Sequence, residues 1–127
     1  MQPLLLCVHM DQARMMRISF AALSLGITVK EVKESERGQS LAALCGLEPP
    51  RKNVSPVPVT DEMMIFAHFS NALLDRFLLE MKEAHIEPVR LKAVLTPHNQ
   101  SWSCGQLCVM LSQEALYMEQ NRKGKQG

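Results

Sequence analysis

The 127 residues are 46% apolar and 21% charged, ordinary values for a soluble globular chain and enough to bury one real core. Fourteen Lys and Arg against thirteen Asp and Glu leave a net charge of +1, which excludes a global field recruiting nucleic acid or an anionic membrane. No apolar run approaches transmembrane length, and the start MQPLLLCVHMDQ lacks the basic region and cleavage site of a secretory signal. Four cysteines, Cys7, Cys45, Cys104 and Cys108, have no CxxC spacing and no secretory context, so reduced thiols in a cytoplasm are expected.

In chain order, PLLLCVHM is a short unbroken apolar run, the pattern of a strand buried on both faces. Asp11 is placed to cap a helix running to about Leu25, with Arg14, Arg17 and Ser24 on its polar line and Met16, Phe20 and Leu23 on its apolar side. Gly26 is a natural left-handed stop. ITVKEVKE alternates as a strand with one wet face does, and ERGQSLAALCGL reads as a short helix ended by Gly46. The proline-rich segment EPPRKNVSPVPVTDE can be neither helix nor central strand and is expected as an ordered surface crossing.

The pattern then restarts. MMIFAHF is a second unbroken strand, and SNALLDRFLLEMKEAH is an amphipathic helix with Leu74, Phe77, Leu78 and Met81 inward. VRLKAVLT alternates, and a last helix is expected from about Ser103 to Tyr117. Placing His9 over His68, an offset of 68 − 9 = 59, also aligns Leu6 with Ile65, Arg17 with Arg76 and Ile27 with Ile86. The chain therefore reads as an internal repeat within one domain: a first half 1–47, a crossing 48–62, a second half 63–119 and a frayed tail 120–127.

The architecture predicted is α/β, βαβαβαβα around a four-stranded sheet with the two unbroken strands at its centre. A parallel sheet in order 2-1-3-4 is favoured, because central strands apolar on both faces need helices on both sides. The alternative is a ferredoxin-like antiparallel sheet in order 4-1-3-2.

The stretch LTPHNQSWS carries the densest signals. Pro97 ends a strand, Asn99 can close a turn, and Ser103 with Gln106 makes a capping box. Trp102 and Leu107 then form a hydrophobic staple. These roles account for most of the stretch as a strand-to-helix joint.

LKAVLTPHNQSW, preceded by LLDRFLLEMKEAHIEPVR and followed by a helix containing LSQE, resembles an uncharacterised bacterial family, domain of unknown function 3783. The resemblance covers roughly residues 62–119, and Lys92, Thr96, Asn99 and Trp102 occupy its K…T…N…W positions. It implies a bacterial cytosolic origin and a glycine at the position held here by His68, and it brings no activity with it.

Several constellations bear on function. In an all-parallel sheet His9, His68 and His98 would share the carboxyl rim, where a metal could bind; in an antiparallel arrangement His9 and His68 separate. The three lack close ligand spacing. Cys104, near a helix start, is the one candidate for a reactive thiol, although Cys104 and Cys108 share a stripe with Leu107 and Leu111, as core cysteines do. Lys92 interrupts an apolar alternation. It is either an edge-strand lysine that snorkels and discourages pairing, or a cation that meets an anionic ligand with Thr96 and Asn99. No phosphate loop or nucleophile elbow is present, and no cofactor is implied.

The leading expectation is thus a non-enzymatic cytosolic module that binds a small ligand or a protein at the rim of Lys92, Thr96, Asn99 and Trp102. Nucleic acid and membrane are not expected partners. The rivals are an enzyme using the histidines or Cys104, and a homodimer joined through an edge strand.

Overall fold

A computed structural model describes residues 1–52, 54–55 and 57–126, with side chains described as far as Gln120. The elements are β1 (Leu4–Val8), α1 (Gln12–Leu23), β2 (Thr28–Val32), a 3₁₀ turn at Glu34–Glu36, α2 (Leu41–Leu44), β3 (Met63–Ala67), α3 (Asn71–Glu83), β4 (Leu91–Val94) and α4 (Cys104–Gln126).

The four strands form one sheet in the order β2-β1-β3-β4, the order expected. β1 pairs with β2, and β3 with β4, in parallel. At the centre β1 pairs with β3 antiparallel, Leu4 opposite Ala67 and Val8 opposite Met63. The sheet is therefore mixed: two parallel β-α-β units lie side by side and head to tail. Apolar composition placed β1 and β3 together but carries no information on direction, because a strand buried on both faces reads the same either way.

Side chains alternate between two cores. Leu5, Cys7, Met64 and Phe66 face α1 and α3. Leu6, Val8, Met63 and Ile65 face α2 and α4 together with Leu41, Leu107 and Cys108. All five residues of β3 are buried, which explains its unbroken apolar sequence.

The offset of 59 recurs in the geometry. It carries β1 onto β3 residue for residue and the N-cap Asp11, which accepts from Arg14 N, onto the N-cap Ser70, which accepts from Leu73 N. It also carries the turn that follows α1 onto the turn that follows α3. Ile27 N donates to Ala22 O, Ile86 N donates to Met81 O, and Gly26 and His85 both take positive φ, 71° and 57°. His9 and His68, each closing a central strand, are likewise left-handed at 61° and 63°. Histidine visits that region more readily than most side chains, and at His68 the resemblance implies a glycine, which adopts it freely.

Three local expectations differ from what is observed. Met16, Phe20 and Leu23 point outward, at 64%, 73% and 74% exposure, while Met15, Ile18, Ala21 and Ala22 are the buried face of α1. Small alanines permit the close approach to the sheet, and Arg14 and Arg17 turn toward the connection from α3 to β4, donating to the carbonyls of Glu87 and His85 at 2.7 and 3.1 Å. The helix expected from Glu36 begins only at Leu41, N-capped by Ser40, because Gly38 packs against the backbone of Ser55 in the crossing. The last helix continues beyond Tyr117 to Gln126; in the tail expected to fray, 120–127, the side chains from Asn121 onward lie outside the described residues, as does Gly127.

Described residues of the crossing make specific contacts, and Asn53 and Pro56 lie outside the described residues. Gln39 Nε2 donates to Arg51 O at 2.7 Å, and Arg51 N donates to Gln39 Oε1 at 2.9 Å. Val57 seats directly on Gly105 of α4.

Candidate functional site

The joint after β4 has the construction its sequence predicts. Ser103 Oγ accepts from Gln106 N at 3.2 Å, and Gln106 Oε1 accepts from Ser103 N at 2.9 Å, a complete capping box. Trp102 packs, partly buried, into the same core cluster as Leu107, and its ring meets that of His98 edge-on at 5.2 Å. The loop also anchors α2: Leu41 N donates to Trp102 O, and Ala42 N donates to Gln100 O, both at 2.8 Å.

Asn99 is buried, and its polar atoms are committed within this turn. Its Oδ1 accepts from Thr96 N at 2.8 Å, its Nδ2 donates to Val94 O at 3.0 Å, and its N–H donates to Thr96 Oγ1 at 3.1 Å. Thr96 and Asn99 thus serve the backbone of the joint, which supplies a physical reason for both residue types.

Lys92 lies elsewhere. It sits opposite Met64 on edge strand β4, on the face covered by α3. There it lines a cleft of about 400 Å³ whose walls are Met64, Leu78, Met81, Ile86 and Val89, with Lys82 and Lys92 supplying its two cations. The Lys92 ammonium donates to Val89 O at 2.7 Å. Its stem covers apolar surface while its head stays near water, as a snorkelling lysine does. Trp102 borders a different, apolar groove of about 380 Å³ with Val57, Gly105, Val109 and Met110. The four residues at the K…T…N…W positions therefore do not share one cavity. Lys82 was not singled out in the sequence, because only the packing of α3 on β4 brings the last turn of that helix beside Lys92.

The histidines do not converge. With β1 and β3 antiparallel, His9 closes one end of the sheet, and His68 and His98 follow strands that end at the other. Among the described residues, no three His, Cys, Asp or Glu side chains gather as a metal-binding group.

Burial favours the protonated form of three thiols, Cys7, Cys45 and Cys104. Burial pushes Cys7 up to about 12, with Arg14 opposing, and pushes Cys104 up to about 12, with Arg37 opposing. Burial also raises Cys45, against the pull of Lys30. A reactive cysteine needs the opposite environment.

At the carboxyl ends of β1 and β2 lies a cleft of about 610 Å³, bordered by His9, Glu31, Lys33, Glu34, Arg37 and Glu62. Of these, Glu62 is ion-paired through Oε2 with Arg14 Nε at 2.7 Å, an N–H not aligned as a hydrogen bond. No helix among the described residues is long and apolar enough to cross a membrane.

No curated protein and no solved structure matches this chain. Residues 62–118, which hold β3, α3, β4 and the start of α4, match the model of a family described as a domain of unknown function (DUF3783), the family that the K…T…N…W motif resembles.

Proposed function

We propose that this protein is a non-catalytic binding module, and that the cleft between α3 and β4 takes a small molecule with an apolar body and an anionic group. The observation that carries this reading is the placement of two ammonium groups, Lys82 and Lys92, on a cleft whose other walls are mainly buried apolar side chains. A concave, mostly apolar site with a few converging polar groups is the general form of a small-ligand site. Its volume, about 400 Å³, falls within the usual range for such sites. The apolar walls supply affinity by removing hydrocarbon from water, and the ammonium groups select the charged end. Lys92 keeps its role as the anion contact, without Thr96 and Asn99.

A thermal-shift series tests this. Octanoate should raise the melting temperature saturably, acetate at equal concentration should not, and Lys92→Gln should reduce the octanoate shift, through linkage of binding to folding. The absence of any octanoate shift, or an equal shift in wild type and Lys92→Gln, would remove the reading.

Self-association is a second reading, and one observation favours it: Met16, Phe20 and Leu23 form an outward apolar stripe on α1. Light scattering across a concentration series decides it, a constant monomer mass excluding it. A cytoplasmic setting in a bacterium belongs to the same proposal, supported by four unpaired thiols and the family resemblance. Duplication of a β-α unit is its evolutionary part, supported by the offset of 59 residues that carries β1 and the start of α1 onto β3 and the start of α3.

A further inference from the structure

The cleft at the carboxyl ends of β1 and β2 lies where the chain diverges. From β1 it leaves toward α1 on one face of the sheet, and from β2 it leaves toward α2 on the other. Divergence of this kind opens the crevice in which open α/β sheets hold ligands. A smaller cleft of about 310 Å³ adjoins it and shares His9, Glu34 and Arg37.

The charges around the larger cleft fall into two groups. Some are committed to the fold: Glu62 to Arg14, and Asp11 to the start of α1, where Arg14 N donates to Oδ1 at 2.7 Å. Glu31, Lys33, Glu34 and Arg37 are not; none of these four takes part in an ion pair among the described residues. Arg37 in addition has a buried Nε without a hydrogen-bond partner among the described residues. Two free cations thus border the same space as two free carboxylates. A simple anion entering it meets Glu31 and Glu34, and a simple cation meets Lys33 and Arg37. A molecule carrying both charges meets a partner for each. We infer that this cleft binds a small zwitterion of the amino-acid class, its carboxylate on Arg37 and its ammonium on Glu31 and Glu34. Arg37 suits the first role because a guanidinium fork matches a planar carboxylate.

Calorimetric titration of the full chain with each of the twenty common amino acids tests this, with the matching amine lacking the carboxylate and the matching acid lacking the amino group as controls. At least one amino acid should bind saturably, with its amine and its acid at least tenfold weaker. Arg37→Gln and Glu34→Gln should each weaken binding about tenfold or more, and Glu114→Gln, at an exposed position that lines neither cleft, should leave it unchanged. Glu34 is exposed, so Glu34→Gln keeps the test valid even where Arg37→Gln weakens the fold. The inference is overturned if none of the twenty binds, if the acid alone binds as tightly as the amino acid, or if binding survives Glu34→Gln unchanged.

Discussion

Thr96 and Asn99 hydrogen-bond each other twice, backbone to side chain in both directions, at 2.8 and 3.1 Å. The pair closes the turn that carries the chain out of β4, and Asn99 Nδ2 ties it back to Val94 O. Asn99→Ala is expected to leave the Thr96 N–H and the Val94 carbonyl without these partners, at a cost of about 2–3 kcal/mol. Urea denaturation measures it. A loss below about 0.5 kcal/mol, the level of ordinary surface substitutions, would show that water replaces the amide freely.

Gly105 is required by contact rather than by backbone conformation. A Cβ there would overlap the Cγ1 of Val57. Gly105→Ala should destabilise by about 1–3 kcal/mol, as overpacking does. Val57→Ala made in the same chain should recover part of the loss, since the two positions are coupled. A double variant as unstable as the sum of the singles would place the cost elsewhere.

The thiols predict an alkaline limit on stability. Cys7 and Cys104 have folded values near 12 against an ordinary 9.0, both raised. Below about pH 9 the thiols are protonated in both states and their contribution is fully present. Between 9 and 12 the unfolded chain loses these protons and the folded chain keeps them, so stability falls as pH rises. The slope is about 1.4 kcal/mol per pH unit for each thiol. Unfolding measured from pH 8 to 10.5, with Cys7→Ala and Cys104→Ala compared to wild type, should show a shallower fall in each variant. Equal slopes in all three would reject the assignment.

The outward stripe of α1 predicts tolerance. Phe20 is 73% exposed, so Phe20→Ser should change stability by less than about 0.5 kcal/mol. A loss of several kcal/mol, read from chemical denaturation, would mean that Phe20 is covered in solution.

Much of this protein is legible in its sequence. Unbroken apolar runs marked β1 and β3 as central, and alternation marked β2 and β4 as edges, because burial on one face or two sets the apolar period directly. Asp11, Ser103 and Gln106 were assigned correctly as caps, since a cap is a local bond between residues three apart. Strand direction was decided only by the tertiary structure: the antiparallel pairing of β1 with β3 depends on how the long crossing returns, and it separates His9 from His68 and His98. The exposed face of α1 was likewise settled by packing, because Ala21 and Ala22 approach the sheet more closely than Phe20 could. The candidate sites follow the same rule. Lys92 stood out as a charge within an apolar alternation, but its cleft with Lys82, and the one beside Arg37, exist only where separate elements meet, and the spacing of residues along a chain does not record which elements those are.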